Sequence, residues 1–164
     1  MNEQLPLRFL YRFRHYDAQG RLIGDETTKN LIPTDGREYM ADVLFGGATR
    51  ASSWYVGLVG DQNYTPAMSD TAAFLAANAG EITAYGAQRN EFLADLNGSS
   101  WGNISSPVTI TATGEITVYG AFLASTQSFN SAVGTILSTV KAPSPKVLAT
   151  GESLDITAVI TLLT

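Results

Sequence analysis

From Glu81 to the end of the chain, glycine, asparagine, serine and proline interrupt an apolar alternation roughly every 8–12 residues, and no helical period runs between the interruptions. Six segments read as strands: Glu81–Tyr85, Gln88–Ala94, Ile104–Thr113, Glu115–Ala124, Val133–Val140 and Ser153–Leu163. The last is the clearest, with Leu154, Ile156, Ala158, Ile160 and Leu162 on one face and Ser153, Asp155, Thr157, Val159 and Thr161 on the other. Strands in this rhythm bury their apolar faces by stacking two antiparallel sheets. The expected fold is therefore mainly β, an antiparallel β-sandwich of the jelly-roll kind. Gly114, between Thr113 and Glu115, predicts a tight hairpin.

The first half adds a hairpin and one helix. Alternation over Leu7–Tyr16 sets Leu7, Phe9, Tyr11, Phe13 and His15 against Arg8, Leu10, Arg12, Arg14 and Tyr16. Asp17-Ala18-Gln19-Gly20 is a turn, after which Arg21-Leu22-Ile23 resumes a strand and Thr27–Ile32 is a short extended piece. Thr34 or Asp35 is a candidate N-cap for an embedded helix near residues 35–45. Tyr39, Met40, Val43 and Leu44 sit at helical spacing, Glu38 is placed for a capping box, and Gly46-Gly47 is the stop. Trp54–Gly60 reads as a strand buried on both faces, Asp61–Pro66 as a loop, and Ser69-Asp70-Thr71 as the cap of an alanine-rich helical turn ending near Ala77. No internal repeat or linker is visible, so residues 1–6 are expected to form a flexible arm and 7–164 a single domain.

Composition narrows the chemistry. Charged residues make up 15% of the sequence, against about 25% in an average soluble protein. A surface so poor in charge suits a turn-rich β protein, or one partly hidden in an assembly. There is no cysteine and a single histidine, His15, so thiol catalysis, disulfides, cysteine–zinc sites and histidine-rich metal sites have no material. A Ser-His-Asp triad would have to run through His15, which reads instead as the polar end of the first strand's inner face. The net charge is −5, which argues against nucleic acid as partner. No basic and apolar leader opens the sequence and no apolar stretch approaches about 18 residues, so the expectation is a soluble protein with no membrane partner, made in the cytoplasm.

A net positive balance is confined to the first stretch of the sequence. Residues 1–24 carry Arg8, Arg12, Arg14 and Arg21 against Glu3 and Asp17, while every later stretch taken together is acidic. Arg8, Arg12 and Arg14 form a row that reads as a solvated strand face guarding a sheet edge, as a contact for an acidic protein partner, or as a contact for nucleic acid. Trp101, in the polar loop Asn97–Asn103, reads as a ring tucked over the core or offered to a partner, and Trp54, Tyr55 and Tyr64 as aromatics of the core or of an interface. Asp61, Asn63 and Asp70 could supply oxygen ligands to calcium but lack the EF-hand spacing. Glu81, Glu91 and Asp95 are the carboxylates a glycosidase would need, and their side chains read as solvated; Gly57–Gly60 is too short for a phosphate loop. No metal, cofactor or catalytic residue is assigned.

Several stretches in order resemble a family. They are Thr28-Lys29-Asn30-Leu31-Ile32 leading into Gly36–Leu44, Trp54–Val59 followed by Tyr64-Thr65 and Asp70-Thr71, and Glu81–Tyr85 followed by Arg89. The C-terminal half adds Ile116–Leu123 and Ala149–Leu154. Together they resemble small structural proteins of tailed bacteriophages, described as capsid cement or decoration proteins and as tail-fibre-like virion proteins. The resemblance covers roughly residues 25–163 and leaves the arginine-bearing strand outside it. It implies a non-enzymatic virion protein on the capsid surface that binds the major capsid protein and stabilises the shell, acting as a homo-oligomer for which a trimer at a three-fold axis is the natural analogy. Its alternative is a tail-fibre or collar component binding a host surface glycan. The contact residues put forward are Arg8, Arg12, Arg14 and Trp101.

Overall fold

The computed structural model describes residues 7–162; the arm expected over 1–6 lies outside the described residues. Strands β1 (Leu7–Tyr16) and β2 (Leu22–Lys29) open the fold as an antiparallel hairpin. The Asp17 carboxylate closes their turn by accepting from the backbone N–H groups of Gln19 and Arg21, and Gly20 supplies the left-handed residue at φ 78°. Helix α1 (Thr34–Ala41) runs into one turn of π-helix, Asp42–Gly46, that stops at Gly47 with φ 75°. Then come β3 (Tyr55–Val59), helix α2 (Ala72–Asn78) and the short β4 (Asn90–Glu91), β5 (Asp95–Asn97), β6 (Ser100–Gly102) and β7 (Val108–Thr111). Three long strands finish the fold: β8 (Ile116–Ala124), β9 (Ile136–Leu148) and β10 (Ser153–Leu162).

The strands form two antiparallel sheets packed as a β-sandwich. One has the order β2-β1-β10-β6-β5, with β7 also on β10; the other has the order β4-β3-β8-β9. The alternation read from sequence sets the core. Phe9, Tyr11 and Phe13 of β1 and Leu154, Ile156 and Ala158 of β10 are buried against Val56 and Leu58 of β3, Leu123 of β8 and Val140 of β9. At its centre the Tyr11 hydroxyl meets Ser138 Oγ at 2.6 Å, and burial holds the phenol well above its ordinary pKa.

The outer flank of β10 is shared end to end by β7, opposite Ser153–Ile156, and β6, opposite Val159–Thr161. Asn103 fills the gap between them. Its amide donates to Ile156 O (3.0 Å) and accepts from Ala158 N (2.8 Å), replacing the strand that is missing there.

Several local expectations change. Gly114 makes no hairpin, because β7 and β8 belong to different sheets and the backbone passes from one to the other there. Glu81–Tyr85 is not a strand: Glu81 forms a single bridge to Val59 and the backbone then turns. The polar loop expected over Asn97–Asn103 is half strand, since the β5–β6 hairpin turns at Gly98-Ser99. The strand expected over Val133–Val140 begins at Ile136 and continues to Leu148 through Pro143 and Pro145. Prolines are tolerated because Ala142–Pro145 is a bulge: Lys141 pairs with Gly120 and Lys146 with Val118, leaving those four residues opposite Tyr119 alone.

Helix α1 also starts differently from the expected capping. Pro33 is its N-cap and Thr34 its first residue, while Asp35 accepts the Ile136 N–H at 2.7 Å, pinning the helix to β9. Gly36 permits that approach, because a Cβ there would stand 2.5 Å from Leu137 O. The second helix is capped as expected, with Thr71 Oγ1 accepting from Phe74 N.

Candidate functional site

Acids stand beside two members of the arginine row. Arg12 grips Asp25 of β2 through both carboxylate oxygens, with Nε to Oδ1 at 2.7 Å, and holds that carboxyl below its ordinary pKa. Arg14 stands in register between Asp25 and Asp155 of β10, and Arg21 pairs with Asp17 at 2.7 Å. Arg8 pairs in register with Thr161. Of the row, Arg12 is thus paired with a carboxylate and Arg14 has acids on both neighbouring strands, so the positive charge concentrated at the start of the sequence is partly balanced within the sheet.

Trp101 packs inward. Its ring lies 5.3 Å from the buried Phe92, and it shares β6 with Gly102, which touches β10 so closely that a Cβ would sit 2.4 Å from Ala158 O. Directly across the hairpin from Trp101 is Leu96, which is 78% exposed because β5 is the sheet's last strand and overhangs the core. Leu93 and Ile104, on either side of the same hairpin, are also exposed. A second apolar projection is Leu44-Phe45 in the π-turn, with Phe45 88% exposed. Helical spacing had placed Leu44 on the core side; the extra residue in a π-turn rotates the succeeding side chains off that face. These exposed groups were missed in sequence because an apolar residue carries no sign of whether its strand or turn overhangs the core.

The other candidates are dispersed. Trp54 is buried edge-on to Tyr39, with centroids 5.2 Å apart, Tyr64 is buried and Tyr55 half-buried on β3. Gly57 lies beneath the Phe122 ring, so the Gly57–Gly60 run belongs to packing. His15 Nε2 contacts Glu152 Oε2 at 3.0 Å. Asp61 accepts from Asn63 N, whereas Asp70, fully buried, accepts from the Tyr64 hydroxyl (2.5 Å) and Ala67 N (3.0 Å). The calcium set is thus divided, and no group of three or more His, Asp or Glu suited to a metal occurs among the described residues. Asp70 also lines a cleft of about 370 Å³ with Thr34, Asp35, Glu38, Met68, Ser69 and Thr71. Of the glycosidase carboxylates, Asp95 accepts from Ser105, Glu91 is exposed on β4, and Glu81 is buried.

Glu81 belongs to a network that sequence reasoning passed over. Arg89 donates from Nε and Nη2 to its two oxygens at 2.6 and 2.9 Å, with the side chains 3% and 1% exposed. Nη1 of Arg89 reaches Thr126 O at 2.8 Å, and Asn130 N donates to Glu81 Oε2. The guanidinium lies 5.0 Å from the Phe122 ring centre. The pair therefore anchors the β8–β9 loop to the core.

A second network straps the open side of the sandwich. Glu26 of β2 accepts from Ser144 Oγ (2.7 Å) and Ser144 N (3.2 Å) in the β9 bulge and from the buried ammonium of Lys146, the residue at which the pairing resumes. These bonds, Lys146 foremost, hold the Glu26 carboxyl below its ordinary pKa. A carboxyl depressed on folding stabilises above its unfolded pKa, and the contribution is lost as pH falls through the folded value. Glu26→Gln is expected to cost about 1 kcal/mol near neutrality, the partial exposure of Glu26 limiting the effect. The difference should shrink in acid, where the native carboxyl is itself protonated. Urea midpoints of both proteins at the two pH values check this; a gap that persists in acid would refute the electrostatic account.

No family model, no curated protein and no solved structure matches this sequence. No helix among the described residues is long and apolar enough to cross a membrane.

Proposed function

We propose that this protein is a non-enzymatic structural component of a tailed-bacteriophage particle, a capsid cement protein that binds the major capsid protein on the outer face of the shell and reinforces it as a homo-oligomer. The observation that carries the reading is the surface itself. Among the described residues the most strongly exposed apolar side chains, Phe45, Leu96 and Leu44, stand on a projecting turn and an overhanging hairpin, while Arg12 and several carboxylates are paired within the fold. Such a surface suits many modest contacts with another protein, repeated by symmetry. The resemblance of Thr28–Ile32, Trp54–Val59 and Ile116–Leu123 to phage virion proteins supports the same assignment.

The test is the number of copies per purified particle, measured by quantitative mass spectrometry against the major capsid protein. A ratio near a simple fraction of the capsid subunit supports the shell; a few copies to a few tens would overturn it in favour of the tail or collar, where glycan binding becomes the question. On the shell reading, Phe45→Asp and Leu96→Asp each lower occupancy on heads at least several-fold while leaving the urea midpoint of the isolated protein nearly unchanged. Arg12→Glu with Arg14→Glu is expected to weaken attachment as well; unchanged occupancy would remove the row from the contact.

A further inference from the structure

Asn97-Gly98 is the sequence's single Asn-Gly dipeptide. The other asparagines precede residues with side chains, which crowd the following backbone nitrogen, and Asn103 is also buried. Asn97 ends β5, a three-residue strand exposed throughout at the outer edge of its sheet, and pairs with Ser100 across the turn. Gly98 is left-handed at φ 60°, and a Cβ there would meet nothing within 4 Å, so the turn stands clear of the body. Among the described residues no hydrogen bond engages the Gly98 N–H. A short edge strand opens locally at little cost, which gives the Asn97 side chain the freedom to fold back on its own backbone.

We propose that Asn97 is a site of spontaneous, self-catalysed deamidation, a timed covalent modification of the β5–β6 hairpin. The Gly98 nitrogen, having lost its proton to hydroxide, attacks Cγ of Asn97. A new N–Cγ bond closes a five-membered succinimide, and the Cγ–Nδ2 bond of Asn97 breaks, releasing the amide nitrogen as ammonia after it takes up a proton. Water then opens the ring at either carbonyl, yielding aspartate or isoaspartate. No oxidant or cofactor is needed. Both products add one negative charge beside Asp95. Isoaspartate also inserts a carbon into the backbone between Asn97 and Gly98, which offsets the pairing of Leu96 with Trp101. The inference stands on this hairpin alone and does not rest on the virion reading.

The full-length folded protein is incubated at mildly alkaline pH and sampled over time by ion exchange, intact mass and peptide mapping. The expected result is an acidic form, carrying the mass gain of an NH2-to-OH exchange, that accumulates with first-order kinetics faster at higher pH. Its change should lie in the peptide spanning Asn97, with isoaspartate detected there by an isoaspartyl methyltransferase. Asn97→Gln, whose longer side chain must close a six-membered imide and cyclises far more slowly, should all but stop its formation. The proposal is overturned if the Asn97 peptide stays unchanged in the folded protein while the same peptide, cut free, converts, because the fold then protects it. It is equally overturned if the acidic form arises at the same rate in the Asn97→Gln protein.

Discussion

Arg89→Met is expected to lower the unfolding free energy by roughly 3–5 kcal/mol, a larger effect than any other single exchange proposed for this protein. The reason is what remains behind. Glu81 would be left almost fully buried without its bidentate partner, holding only the Asn130 N–H, and the β8–β9 loop would lose the Thr126 contact. The Phe122 ring would lose the cation above it, but Gly57 directly across the sheet would still hold the ring in place, since a Cβ there would lie 2.1 Å from its Cζ. Adding Glu81→Leu to the Arg89→Met protein should recover much of the loss, because two apolar groups of similar bulk leave no unpaired charge. Urea unfolding of the two single variants and the double variant measures the coupling; a loss under about 1 kcal/mol for Arg89→Met would mean that water reaches Glu81.

The second large effect is expected from Asn103→Ala, at roughly 2–4 kcal/mol, from two buried backbone groups left without partners. Ile156 O and Ala158 N lie where neither β6 nor β7 reaches β10, and the Asn103 amide is the group that satisfies them. Both flanking residues, Ile156 and Ala158, are fully buried. The diagnostic readout is hydrogen exchange at the Ala158 amide, which should accelerate well beyond the change at Tyr11, in the middle of β1. Equal acceleration at both would indicate general loosening and would sink the bridging role.

Both predictions concern residues whose importance was hidden in the sequence. Asn103 read as the end of a polar loop, and Glu81 as the start of a strand with a solvated carboxylate. Nothing within a few residues of either distinguishes it from a surface group. The partners of Asn103 lie at Ile156 and Ala158, and the Glu81 carboxylate is held in part by Asn130, far along the sequence. By contrast, the inward set of β1 and β10 was legible, since alternation alone specifies which residues share a face. The same logic identified the arginine row but not its acids, because Asp25 and Asp155 reach it by strand pairing.

The proposed contact surface divides in the same manner. Trp101, the candidate singled out in sequence, turns its ring to Phe92, while Leu96 opposite it and Phe45 in the π-turn carry the exposure. A tryptophan in a polar loop is conspicuous; a leucine on an overhanging edge strand is not.

By itself, then, the order of residues determined that the protein is mainly β, that a hairpin opens it, that a helix begins near Thr34 and another follows Thr71, and which faces of β1 and β10 turn inward. Each of these follows from a period of two or four residues or from one capping or turn residue, interactions that act within a few positions along the backbone. The tertiary structure alone decided that the backbone switches sheets at Gly114, that Asn103 substitutes for a missing strand, that Glu81 and Arg89 are sealed together, and that Leu96 and Phe45 are left outside. Those outcomes depend on which distant strands meet and where the sheets end, and no local period encodes either.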